Sequence, residues 1–434
     1  MKKWKKLLAV CSAFFTVSTS FLAIPTTVHA ADALAPFDAA ARSAMSVDFE
    51  TGKIFYARDA ETVYPIASMT KLITAYIALD QVKKGNISWD DTIATSQYAH
   101  NLSVDWRVSG VPMELGREYT VKELYQASLI ASANGAAVAL AEKISGSEEK
   151  FVQKMNEQLE KWGIQGSHII NASGLPNELI PEGNRFPGSN AEDENKMSAR
   201  GVATMAREIL KSAPEILDTT RVATLPFGQG TASEVEMTNW NWMLPGLVFE
   251  YEGVDGLKTG TTTAAGQCFV GTAKRDDWRI ITVIMHANNS DTNAFARFEA
   301  TRALMDWTFE NWSRQDVLEA GATFAAANSF PVRDGRQSHV PLELKDNVNM
   351  WVQKGADLRA VRVHYISPTG TVSAPVTAGE QIGKVRVSME QDPNGYLDNS
   401  TNEYPMIAKV DVARNNFFVI LFNRVVEYVS ARFS

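Results

Sequence analysis

Disulfide staples, metal-ligand clusters and membrane-spanning runs are scarce in this sequence, and each shortage narrows what the chain can be. Cys11 and Cys268 are the only cysteines in 434 residues, so stability must come from core size and not from a disulfide framework. The six histidines (His29, His100, His168, His286, His339 and His364) are scattered without ligand spacing, so no metal site and no cofactor is expected. Beyond the first thirty residues no apolar run approaches the ~20 residues that a spanning helix needs. A formal net charge of −8 argues against nucleic acid as a partner.

The first thirty residues have a character of their own. A basic start (Lys2, Lys3, Lys5, Lys6) leads into an apolar stretch from Leu7 to Ile24, and Val28-His29-Ala30 precedes Ala31. That is the pattern of a secretory signal peptide over residues 1–30, while Ser18-Thr19-Ser20 and Pro25 argue against a retained anchor. Its removal takes away four lysines and no acid, moving the formal net charge from −8 to −12.

The remaining length calls for more than one core. From about Ala35 to Trp312 short β-rich runs alternate with long helical ones. Ala44 to Asp48 and Lys53 to Tyr56 form a strand pair, Ser68 to Lys83 a helix, and Val121 to Ile144 a second helical region. Gly266 to Lys274 and Trp278 to His286 are strands, and Asn293 to Trp312 is a closing helix. Strands at both ends with helices between predict an α+β domain over residues 31–312 whose terminal segments share one sheet. Residues 176–196, rich in Pro, Gly, Asn and acids, read as a long surface loop. Period-two segments such as Val361 to Tyr365 and Lys384 to Met389 predict a small all-β sandwich over residues 313–403. Residues 404–434 then form an amphipathic segment. Asn416, Asn423, Glu427, Ser430 and Ser434 fall on one side and Phe417, Phe418, Leu421, Phe422, Val425, Val426, Val429 and Phe433 on the other. Such a stripe, with Arg414, Arg424 and Arg432 beside it, suits the headgroup region of a membrane surface.

Three short motifs carry chemistry: Ser68-Met69-Thr70-Lys71, Ser132-Ala133-Asn134 and Lys258-Thr259-Gly260. Singly the first two are weak, since Ser147-Glu148-Glu149-Lys150 and Ser400-Thr401-Asn402 fit the same patterns in polar, turn-like surroundings. The Ser68 match instead opens a helix apolar enough to be buried, and residues three apart share a helix face. Lys71 can therefore reach the Ser68 hydroxyl and act as its general base if its amine is neutral. Burial lowers a lysine pKa, and a second cation, Lys258, about 4 Å away would add roughly 4 kcal/mol of repulsion at an effective dielectric of ~20. Ser132 would relay a proton to the leaving amine, and Asn134 offers a donor and an acceptor to a substrate amide. Backbone N–H groups, Ser68's own among them, would hold the oxyanion. Cys268, on a strand, reads as a small buried hydrophobe.

In order and spacing the trio resembles the penicillin-binding protein and class A β-lactamase superfamily. Longer strings are similar to those of the serine D-alanyl-D-alanine carboxypeptidases, the low-molecular-weight penicillin-binding proteins: Tyr64-Pro65-Ile66-Ala67 before Ser68, Asn171-Ala172-Ser173-Gly174-Leu175-Pro176, and Val254-Asp255-Gly256-Leu257 before Lys258. The resemblance covers residues from about 35 to 312 most strongly. It implies a β-lactamase/transpeptidase-like catalytic domain, a sheet with helices on both sides plus a helical subdomain, followed by the sandwich and a membrane-surface helix. It further implies Ser68 as acylated nucleophile, Lys71 as base, Ser132 as relay, and Asn134, Lys258, Thr259 and Gly260 in the substrate site. Thr261 would supply the second oxyanion N–H and Arg297 would help Thr259 bind the terminal carboxylate. Implied partners are peptidoglycan stem peptides as substrate and β-lactams as inhibitors, with the protein exported and held on the outer face of the cytoplasmic membrane. Two positions depart from the family pattern, Thr261 where a His or aromatic is frequent and Gly135 where an Asp is frequent. The absence of any glutamate in an ExxLN setting argues against a β-lactamase. A D,D-endopeptidase and a non-catalytic penicillin-binding sensor or scaffold are the alternatives.

Overall fold

The computed structural model describes residues 37–390, 392–398 and 402–433, so the expected signal peptide lies outside the described residues. Five antiparallel strands form the central sheet, in the order Ile54–Arg58, Ala41–Asp48, Trp278–Ala287, Gly266–Arg275, Val254–Thr262. Pairing of Met45 with Val283 joins the two ends of the domain in one sheet, as the sequence predicts. Alternation along these strands decides what covers each face. Ala44 and Ile284 pack with Ala300 and Leu304 of the helix Ala296–Asn311. Met45 and Val283, one residue along, join the large core that includes Val202 and Ala206 of the helix Ala199–Ser212.

That core continues into the helical subdomain, where the helix Lys71–Lys83 packs among Gln97–Val104, Val121–Ile130, Asn134–Ser145 and Glu148–Lys161. Local signals set the helix starts. Thr120 and Glu123 form a reciprocal capping box, and Ser96 and Ser147 cap the helices after them. Ser147 thus accepts the Lys150 N–H, so the first decoy motif is a helix cap. The predicted helical region Val121–Ile144 consists of two helices, separated at Ala131-Ser132-Ala133 with Ser132 at φ +56°. Apolar periodicity runs through the break, so the sequence pattern hides it.

The second part is built from the pair Trp312–Leu318 with Val348–Gln353 and from a six-stranded sheet with its own apolar cluster. Glu403–Ala408 is a strand inside that sheet, between Gln381–Met389 and His339–Leu344, so the expected boundary at 403/404 falls too early. Pro405 within the run masks its strand character. The terminal helix starts at Phe417, where the Asn416 side chain accepts the Val419 N–H.

A latch joins the two parts. The loop 392–398 lies along the sheet's edge: Gly395 O accepts the Ile54 N–H at 3.0 Å and Gly52 O accepts the Leu397 N–H at 2.8 Å. Lys53, 1% exposed, donates to Asp392 at 2.8 Å and to Ile54 O at 2.6 Å, with its ammonium over the Trp312 ring. Covering an edge strand in this way removes a free pairing template. Phe55, Trp278, Trp312 and Trp351 form an aromatic seam beside it.

Candidate active site

The residues 63–71 are shaped to present Ser68. The short strand Val63–Pro65 pairs with Lys196–Ser198, Ala67 takes a left-handed φ of +47°, and Ala67–Thr70 makes a 3-10 turn that runs into the helix at Lys71. Two glycines let neighbouring backbone approach this turn. A Cβ on Gly174, itself at φ +81°, would lie 2.0 Å from Ala67 O, and one on Gly260 would lie 2.7 Å from Ile66 O. The glycine of Lys258-Thr259-Gly260 is therefore a packing requirement of the nucleophile turn.

Lys71 is fully buried and its amine has three acceptors: Ser68 Oγ at 2.9 Å, Asn134 Oδ1 at 2.7 Å and Ser173 O at 2.6 Å. Burial holds its pKa well below the usual lysine range and the nearby Lys258 charge adds to the effect. Lys258, also buried, is pushed down to about 7 by desolvation and by Arg297. Asn134 is oriented by Ser109, whose carbonyl accepts from Nδ2 at 2.8 Å. Oδ1 therefore faces Lys71, so the buried amine takes one lone pair of the acceptor that the sequence reading offers to a substrate amide. One N–H of Nδ2 remains.

The break at Ser132 places that side chain, 4% exposed, on a cavity of about 360 Å³. Ser68, Thr259, Gly260, Thr261 and Arg297 line the same cavity. The structure thus brings all three motifs and Arg297 to one place. Arg297 is anchored there by Gly260 O and Cys268 O, both at 3.0 Å, and donates to Thr261 Oγ1 at 2.6 Å. Burial lowers its pKa to about 10. Cys268 packs in the core with its thiol pushed up to about 11 by burial, in keeping with an inert residue.

Several contributors escape a motif search. Ser173 acts through its carbonyl, held by a turn in which Asn171 Oδ1 accepts the Gly174 N–H at 2.6 Å. Asn195 donates to Thr70 Oγ1 and to Asn171 O, and Glu194 accepts from Thr262 Oγ1. The loop 176–196 thus meets the site through its last residues and does not line the cavity. The string from Asn171 to Pro176 was the available signal for the first of these; a backbone acceptor leaves no side-chain pattern. Trp240 and Trp242 also line the cavity.

Gly135 has a steric reason to differ from the family's frequent Asp. A Cβ there would lie 2.4 Å from Ala99 O, because this helix packs directly on Gln97–Val104. Gly135→Ala is expected to destabilise the fold by about 1–3 kcal/mol, the range for overpacking. Chemical denaturation checks this, and an unchanged midpoint would count against so close an approach.

Residues 27–289 match the D-alanyl-D-alanine carboxypeptidase family, and residues 312–414 match the C-terminal domain of penicillin-binding protein 5. The D-alanyl-D-alanine carboxypeptidase DacF of Bacillus subtilis is 29% identical over 382 residues, covering 88% of each chain. Among solved structures, a peptidoglycan synthesis regulatory factor (PBP3) from Streptococcus pneumoniae aligns with a TM-score of 0.71 and 36% identity, over 87% of this chain and 100% of that one. Penicillin-binding protein D2 from Listeria monocytogenes, in its ampicillin-bound form, aligns with a TM-score of 0.51 and 28% identity, over 63% of this chain and 100% of that one. With its catalytic part matched over most of its length and its β-rich part matched beside it, the chain belongs to the D-alanyl-D-alanine carboxypeptidase family.

Proposed function

We propose that Ser68 is the nucleophile through which this serine D-alanyl-D-alanine carboxypeptidase removes the terminal D-alanine from peptidoglycan stem pentapeptides. The observation behind this reading is the set of acceptors around Lys71. Asn134 Oδ1 and Ser173 O can only accept, so once the amine is neutral they hold its two N–H bonds, and the 2.9 Å contact with Ser68 reverses, the lone pair accepting from the hydroxyl. Ser68 Oγ adds to the penultimate D-alanine carbonyl and its proton passes to Lys71. Lys71 returns that proton by way of Ser132, which relays it to the departing D-alanine nitrogen as the C–N bond breaks, leaving an ester on Ser68 and a neutral Lys71. Water then hydrolyses the ester. Thr259 and Arg297 hold the terminal carboxylate, and Lys258 adds positive potential. A β-lactam would enter by the same attack and remain as a Ser68 ester, a reading supported by the ampicillin-bound form of the Listeria relative.

We further propose export under the direction of residues 1–30 and attachment to the outer face of the membrane through the terminal helix. Phe417, Phe418, Leu421, Phe422, Val425, Val426 and Val429 are all exposed on Phe417–Phe433, and among the described residues no helix is long and apolar enough to cross a membrane. An exposed stripe of this kind supports lying in the interface.

Three outcomes test these readings. With protein lacking residues 1–30 and 416–434, D-alanine release from a diacyl-Lys-D-Ala-D-Ala peptide is expected to fall by at least about a thousandfold in Ser68→Ala, together with loss of penicillin labelling. Release that persists in the variant would place the nucleophile elsewhere.

The rate of acylation should rise with pH as Lys71 loses its proton. Because the Lys258 charge helps depress the Lys71 pKa, Lys258→Gln should move the acid limb of the kcat/KM profile to higher pH, while Lys258→Arg should hold it in place. A limb that does not move in the glutamine variant would show that the Lys258 charge does not help set the titration of the base.

In flotation with vesicles containing anionic lipid, protein retaining residues 416–434 should rise with the vesicles and protein lacking them should stay below. Equal behaviour of the two would argue against attachment through the helix.

A further inference from the structure

We propose that Trp240 and Trp242 select the side chain of the substrate's carboxyl-terminal residue, and that this subsite takes bulky apolar D-amino acids as well as D-alanine. The inference rests on Ser68 as nucleophile and deepens the carboxypeptidase reading.

The cavity beside Ser68 belongs to the leaving-group half of the groove. Its lining includes Ser132, assigned above to the departing nitrogen, and Thr259 and Arg297, assigned above to the carboxylate. Lys71 and Asn134 lie behind Ser68, and no residue of the 171–196 segment reaches the lining. The rest of the wall combines Ser109, Gln267, Ser290 and Ala294 with an aromatic side made of Trp240, Trp242 and Phe298.

Trp240 is fixed and half open. Its Nε1 donates to Ala131 O at 3.1 Å, next to Ser132, and its ring stacks on Trp242 at 6.4 Å with an interplanar angle of 19°. Trp242 rests in turn on Phe295 and Phe298, both at 5.6 Å. With the indole N–H satisfied, the 46% of Trp240 left exposed offers an apolar face. A cavity of about 360 Å³ is in the range that drug-sized ligands fill, so it can hold the terminal residue's backbone and carboxylate together with a side chain longer than methyl. A longer apolar side chain on the terminal residue can lie against the indole, each buried methylene being worth about fourfold in kcat/KM. The reaction is unchanged: the C–N bond to the terminal residue breaks, the free D-amino acid leaves, and water regenerates Ser68.

The test compares kcat/KM for diacyl-Lys-D-Ala-D-X peptides, with X as alanine, leucine, phenylalanine or serine, in the wild type, Trp240→Ala and Trp240→Phe. The wild type is expected to release D-leucine within threefold of D-alanine or faster, and to disfavour D-serine. Trp240→Ala should lower the D-leucine to D-alanine ratio at least tenfold, chiefly through KM, and Trp240→Phe should restore most of it. Release of D-alanine with rejection of D-leucine and D-phenylalanine by the wild type overturns this proposal alone. So does an equal fall for every peptide in Trp240→Ala, which would mark Trp240 as a brace for Ala131. No release of D-alanine by the wild type overturns the carboxypeptidase reading, and this inference with it.

Discussion

A lysine amine with no access to water is the constraint around which this molecule is arranged. Lys71 can remain buried only if every hydrogen it carries finds an acceptor, and the acceptors come from three separate stretches of chain. Ser68 is supplied by the turn ahead of the helix, Asn134 by the helical subdomain, and the Ser173 carbonyl by a turn held with Asn171 and Asn195. The same burial that makes the lysine costly to fold lowers its pKa. One feature thus bears on both stability and protonation, while Ser68 keeps its edge on the cavity.

Close backbone approach is the second theme. Gly174 and Gly260 allow two chain segments to press against Ile66 and Ala67, and Ala67 and Ser132 adopt left-handed conformations that side chains rarely accept. These positions surround the reacting centre. They persist because the core on either side, continuous from the central sheet into the helical subdomain, leaves the turns no other path.

Distance from the site does not mean independence from it. The Lys53 latch ties the β-rich part to the sheet's edge, with Arg207 adding an ion pair to Asp398. Where the first part needs burial of charge to do chemistry, this joint uses a buried ammonium, paired and lying over Trp312, to fix one part on the other. The exposed apolar helix follows the β-rich part in the chain, so membrane attachment through it would act on the catalytic part by way of that joint.

Much of this was legible beforehand. Short-range patterns determined the nucleophile helix, the strand pairs at both ends of the catalytic part and the amphipathic terminal helix, because residues a few positions apart must share a face or alternate across one. They determined too that Ser68 and Lys71 would meet. Sequence could not reveal that the run from Val121 to Ile144 breaks at Ser132, since apolar periodicity is continuous there, nor that a strand containing Pro405 completes the second sheet. Nor could it show that Asn134 turns its carbonyl to Lys71, that a main-chain oxygen of Ser173 is the third acceptor, or that Trp240 lines the cavity beside Ser68. Those were decided by tertiary structure, because each depends on groups far apart in the chain competing for one buried space, and no local pattern records which of them wins.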